Sequence, residues 1–120
     1  MAIVPLGGKH LLLDIFSCRG GLTMDVIEKT LIQASVATGA TILFHHSHLF
    51  DDGGCSGVVV LAESHASFHY WWEEKYMAVD IFVCGECDPY RAIPILQKNF
   101  QPINIDIHEI KRGLIGNSNG

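Results

Sequence analysis

The run Gly57-Val58-Val59-Val60-Leu61-Ala62 limits the fold more than any other segment of the chain. It is β-branched, continuous and without polar alternation, which marks a strand whose side chains are apolar toward both faces of a sheet. His10-Leu11-Leu12-Leu13-Asp14-Ile15-Phe16, bounded by Gly7, Gly8, Gly20 and Gly21, has the same character. Such strands need cover on both sides, and the chain has only two segments of helical period to provide it. In the first, Thr23 caps a stretch with Val26, Ile27, Leu31, Ala34 and Ala37 or Thr38 on one face, and Gly39 closes it. The second starts at Asp88-Pro89 and carries Ile93, Leu96 and Phe100 on one face; its Pro94 is tolerable only in a first turn or at a kink.

Other strand signals lie in Ala40 to Phe50, which ends at the turn Asp51-Asp52-Gly53-Gly54, in the aromatic stretch Ala66 to Trp72, and in Met77 to Val83. Ile103, Ile105 and Ile107 alternate with Asn104, Asp106 and His108, the pattern of a half-buried strand. Two helices against five or six strands predict an α+β two-layer sandwich, a mainly antiparallel sheet with both helices on one face. The other face is then left for a partner sheet or subunit.

Composition agrees. The 120 residues are one domain's length, and 48% are hydrophobic while only 18% are charged. A single domain over residues 1–120 buries only about two-thirds of its unfolded surface. A mean hydropathy of +0.25 therefore points to an oligomer that hides apolar surface. The net charge of −5 with no basic run excludes nucleic acid as a partner. Met1 to Lys9 lacks the charge and unbroken apolar core of a signal peptide, and no run is long enough for a membrane span, so a soluble, cytoplasmic protein is expected. Cys18, Cys55, Cys84 and Cys87 are expected to be free thiols, and the tail 114–120 to be flexible.

Two histidine or cysteine groups invite a metal or redox reading. On a strand, His46 and His48 share a face while His45 points away, at most half of a metal site. Cys84-Gly85-Glu86-Cys87 has no second pair to complete a zinc site, and the helix after it starts too late to activate the first thiol. No metal is expected. The densest group of reactive side chains runs from Cys55 to Cys84. Within it Ser64 directly follows Glu63 at a strand end, without the Gly-x-Ser-x-Gly elbow of a hydrolase.

The blocks Gly54-Cys55-Ser56-Gly57-Val58-Val59-Val60-Leu61-Ala62-Glu63-Ser64-His65, His69-x-Trp71-x-Glu73 and Val79-Asp80-Ile81-Phe82-x-Cys84-Gly85 resemble the short prokaryotic S-adenosylmethionine decarboxylases. The likeness extends collinearly from Leu6-Gly7-Gly8-Lys9-His10-Leu11 to Ile107-His108-Glu109-Ile110-Lys111-Arg112-Gly113. It implies a proenzyme that cleaves itself between Glu63 and Ser64 into chains 1–63 and 64–120. Ser64 Oγ attacks the Glu63 carbonyl to form an ester, and elimination leaves a pyruvoyl group, so neither metal nor pyridoxal phosphate is needed. By the same resemblance His69 is the processing base, Ser56 assists at the cleavage site, and the pyruvoyl ketone binds the substrate amino group as a Schiff base. The resemblance likewise implies that Cys84 is the proton donor after carbon dioxide leaves.

Phe50, Trp71 and Glu73 match substrate-binding positions, two aromatic walls for adenine and sulfonium and a carboxylate for the ribose diol. His69 shares the aromatic lining. The family usually carries proline where this chain has Trp72. The function implied is decarboxylation of S-adenosylmethionine for spermidine biosynthesis by a homodimer of processed chain pairs. Arginine or ornithine decarboxylation on the same scaffold, and a non-catalytic regulatory or binding homologue, are the alternatives.

Overall fold

The computed structural model describes residues 7–113. Residues 1–6 of the N-terminal segment read above as no signal peptide and the tail 114–120 lie outside those residues. The order is β1 (Gly8–Phe16), α1 (Met24–Ala37), β2 (Ile42–Leu49), β3 (Cys55–Leu61), β4 (Ser64–Trp71), β5 (Tyr76–Cys84), a 3-10 turn (Pro89–Ala92), α2 (Ile93–Phe100) and β6 (Asn104–Arg112). The six strands form one sheet in the order β2-β3-β4-β5-β1-β6, with every neighbouring pair antiparallel. This is the expected α+β architecture.

Each helix begins and ends for a local reason. Thr23 Oγ1 accepts from Val26 N at 3.2 Å and caps α1, which buries Ile27, Leu31 and Ala34. Asp88 caps the 3-10 turn by accepting from Tyr90 N at 3.0 Å, and Pro94 falls in the first turn of α2, where its missing N–H costs nothing. The helix expected directly after Asp88-Pro89 thus opens as a tighter turn and becomes α-helical only at Ile93.

Leu11, Leu13 and Ile15 of β1, Val59 and Leu61 of β3, Phe68 and Tyr70 of β4, and Met77, Val79, Ile81 and Val83 of β5 are buried with Leu31, Leu96 and Phe100 beneath the helices. The opposite set forms an open face: His10, Leu12 and Asp14, Val58 and Val60, Ser67 and His69, and Asp80 and Phe82. Leu12 and Phe16 stay more than a third exposed there. The doubly apolar strands are therefore covered on one side only, within the single chain. The edge strand β6 departs from the half-buried expectation. Ile103 is 84% exposed and precedes the strand, and Ile107 is 40% exposed. The short α2 packs on α1 and the 3-10 turn and does not reach over β6.

Candidate active site

The two-residue turn Ala62-Glu63 joins β3 to β4, pairing Leu61 with Ser64, so Ser64 is the first residue of its strand. Glu63 adopts φ +59°, a left-handed conformation that costs a non-glycine residue roughly 1–2 kcal/mol. Ser64 Oγ donates to the Ala62 carbonyl at 3.2 Å. From the end of β5 the Cys84 thiol donates to the Glu63 carbonyl oxygen at 3.3 Å. Burial pushes the Cys84 thiol above its ordinary value and the Glu63 charge adds to this, against a lowering contribution from Ser64. Glu63, Ser64 and Cys84 thus meet at one end of the sheet.

His65, Phe82 and His10 form the next row across β4, β5 and β1, since Phe82 pairs with both histidines. His10 Nε2 lies 2.8 Å from Asp80 Oδ2, and His65 Nε2 lies 3.4 Å from the same oxygen. Ser67 Oγ donates to the other carboxylate oxygen. Arg112 stands 3.3 Å from His10 Nδ1, and because a guanidinium only donates, His10 accepts there and points its Nε2–H at Asp80. Burial alone pushes the Asp80 carboxyl up, but the Ser67 and His10 hydrogen bonds and both imidazoles outweigh it and hold the group below its usual value. The three ligand-type atoms of His10, His65 and Asp80 lie within 4.8 Å of one another. The Arg112 contact bears on His10 alone of these three, committing its Nε2–H to Asp80.

Ser56 and His69 face each other across β3 and β4 at the opposite end of the sheet. His69 is five residues beyond Ser64 on the same strand, about 17 Å at the usual rise. The fold therefore brings Ser64 to Cys84 but not, within one chain, to His69 or Ser56. His69 instead stacks between Phe50 and Trp71, with ring centroids at 5.8 and 4.3 Å, and the ladder continues to Tyr76 and Phe16. Phe50, His69, Trp71 and Glu73 line one small cavity of about 70 Å³ at this end. A shallow groove of about 570 Å³, lined by Leu12, Asp14, Ser67, His69 and Asp80, crosses the middle of the open face between the two ends.

The remaining candidates separate as the strand period requires. His46 and His48 share the open face, while His45 turns toward α1 and sets its Nδ1 3.1 Å from Glu28 Oε2. All four cysteines are free, and Cys87 packs on the helix side against the core. Sequence reasoning singled out neither Asp80 nor His10, since one carboxylate and one imidazole far apart in the chain carry no spacing signal. No helix among the described residues is long and apolar enough to cross a membrane.

Residues 9–113 match the family model described as S-adenosylmethionine decarboxylase. The S-adenosylmethionine decarboxylase proenzyme of Methanococcus maripaludis strain C5 is 44% identical over 111 residues, covering 90% of this chain and 91% of that protein. The proenzyme of the same name from Caldanaerobacter subterraneus is 37% identical over 110 residues, 89% of each chain. Among solved structures, the adenosylmethionine decarboxylase of Aquifex aeolicus superposes with a TM-score of 0.81 at 29% identity, covering 94% of this chain and 96% of that one.

Proposed function

The chain belongs to the S-adenosylmethionine decarboxylase family, and from that premise we propose that it is a self-processing enzyme that releases carbon dioxide from S-adenosylmethionine. The observation that carries this reading is the meeting of Ser64, the Glu63 carbonyl and Cys84 at a strained turn. A left-handed glutamate raises the energy of the peptide that is to break, and the thiol donates to its carbonyl oxygen, as a group that stabilises a developing oxyanion must. Ser64 Oγ attacks the Glu63 carbonyl carbon, the C–N bond breaks, and an ester joins the two halves. Removal of the Ser64 α-proton then expels the Glu63 carboxylate and leaves a dehydroalanine at residue 64, whose imine tautomer takes up water and loses ammonia to become the pyruvoyl ketone; chains 1–63 and 64–120 stay together through the β3–β4 pairing and the shared core.

The new N-terminus of the second chain fits a pyruvoyl group, since residue 64 lies on a partly exposed hairpin end beside the Cys84 thiol. Such a group supplies a ketone that takes up the substrate amino group and accepts electrons as carbon dioxide leaves. Cys84, kept protonated by burial, returns a proton to the α-carbon. Phe50 and Trp71 stack on the adenine, and Glu73 accepts from the ribose hydroxyls.

His69 and Ser56 take part through a second copy. In this reading two copies pack open face to open face about a two-fold axis, so that the His69 end of one sheet lies over the Ser64 end of the other and one substrate spans both chains. The apolar content of that face supports this, because Leu12 and Phe16 stay more than a third exposed there and Val58, Val60 and Phe82 are only partly buried within the protomer. The homodimer of processed pairs is thus part of the catalytic reading. The decarboxylated product would serve as an aminopropyl donor in spermidine synthesis.

The test is an intact-mass spectrum together with carbon dioxide release from S-adenosylmethionine, arginine and ornithine. Two chains split at residue 63 and release from S-adenosylmethionine alone are expected. A single uncleaved chain without turnover would overturn the reading, and release from arginine or ornithine alone would reassign the substrate.

A further inference from the structure

Trp72 stands where the family usually has proline, and it makes two contacts that a proline cannot. Its indole Nε1–H donates to the backbone carbonyl of Asp52, in the loop that joins β2 to β3. The nitrogen edge of the ring also packs against Gly53, where a Cβ would come within 2.7 Å of the indole nitrogen. Gly53 holds φ +94°, so its lack of a side chain is required twice, by the backbone and by the indole.

The loop is tied internally as well. Phe50 N donates to the Gly54 carbonyl at 2.8 Å, Gly53 N to the Phe50 carbonyl at 3.0 Å, and Gly54 N to Asp52 Oδ1 at 2.8 Å. A pull on Asp52 is therefore transmitted to Phe50. Trp72 itself opens the turn between β4 and β5, which carries Glu73, and Lys75 N closes that turn on the Trp72 carbonyl at 3.3 Å. The indole is 47% exposed, so it adds little to the core and its contacts serve the loop.

We propose that Trp72 is a positioning residue for substrate binding, whose indole ties the 50–54 loop to the β4–β5 turn and holds Phe50 and Glu73 at a fixed separation across their cavity. The proposal rests on the decarboxylase reading, in which Phe50 and Glu73 grip the two ends of the nucleoside. A loop already fixed before binding need not be ordered by the ligand, which lowers the cost of association. The latch touches neither Ser64 nor Cys84, so it acts on binding and leaves the bond-breaking steps alone.

Trp72→Phe keeps an aromatic ring and removes the N–H, while Gly53→Ala drives the ring off the loop. Each is expected to raise KM for S-adenosylmethionine about fivefold, the worth of one hydrogen bond of ordinary strength, with kcat and the extent of self-cleavage unchanged. The double variant is expected to be no worse than Gly53→Ala alone, because both changes open one latch. Hydrogen exchange at the Gly53 and Gly54 amides is expected to quicken in both single variants, a readout independent of turnover. An unmoved KM, a kcat that falls with it, or fully additive effects would overturn the latch. Failure of the wild-type protein to turn over S-adenosylmethionine would instead overturn the functional reading beneath it.

Discussion

The Cys84 thiol points at the carbonyl oxygen of Glu63 from the neighbouring hairpin, 3.3 Å away. In the proposed function this places one side chain both for the peptide that is to break and for the substrate carbon that is to be reprotonated at residue 64. Burial and the Glu63 charge raise the thiol's pKa, so less of it is thiolate at pH 8 than in a free cysteine. Iodoacetamide is accordingly expected to label Cys84 more slowly than the cysteine of a short peptide, as followed by mass spectrometry. Cys84→Ala is expected to lower kcat by about a hundredfold or more, the usual worth of a positioned proton donor. Unaltered turnover in that variant would remove the assignment.

Glu63 holds its left-handed backbone at the proposed scissile bond, and glycine there would relax it. In a Ser64→Ala background, which stays a single chain, Glu63→Gly is expected to raise stability by about 1 kcal/mol in urea titrations. With Ser64 present, the same substitution is expected to slow self-cleavage, because strain released in the ester no longer assists the attack. Faster cleavage on gels over time would contradict a role for the strain.

Asp80 carries a pH signature. Its carboxyl, buried but satisfied by Ser67, His10 and His65, ionises below the usual carboxylate range. Such a group contributes stability above its unfolded-state pKa, and the contribution is lost as pH falls through the lower folded value. Asp80→Asn is therefore expected to cost roughly 1–3 kcal/mol at pH 7, and the gap from the parent is expected to close as the pH drops through the acid range. Thermal melts across pH check this; a gap that persists at low pH would mean that the charge is not what Asp80 supplies.

What could be read in advance follows the range of each signal. Val58 to Leu61 and Leu11 to Leu13 state their apolar character toward both faces in consecutive residues, although the single chain covers only one face, and Thr23 and Asp88 mark helix starts by their own chemistry. The shortened α2 was legible only as the anomaly of Pro94, since a 3-10 turn and an α-helix share the same capping residues. Ile103 and Ile107 misled because alternation reports a strand's pleat, not whether a helix covers it. At the site, Ser64, Glu63 and Cys84 were named through the family resemblance and the fold brings them together. The His10–Asp80–His65 network was invisible because its members are neighbours only across strands. The resemblance named His69 and Ser64 together, but a strand's rise of about 3.3 Å per residue keeps them apart in one chain.

That separation makes a sharp prediction about two chains in one particle. If the partner subunit's His69 serves each Ser64, a dimer of one Ser64→Ala chain and one His69→Ala chain contains one doubly defective site and one intact site. Alone, the His69→Ala chain is expected to stall before elimination as an ester that hydroxylamine cuts, and the Ser64→Ala chain to stay whole. Coexpressed with different affinity tags and purified through both, the His69→Ala chain is expected to be cleaved at residue 63 while its Ser64→Ala partner remains uncut, with mass spectrometry reading each tag separately. The mixed dimer should also regain turnover, up to about half that of the wild type, since two-fold symmetry gives two sites and restores one. A His69→Ala chain that stays uncleaved in the mixed dimer would show that processing is confined to a single chain, and the face-to-face arrangement would then have no catalytic role.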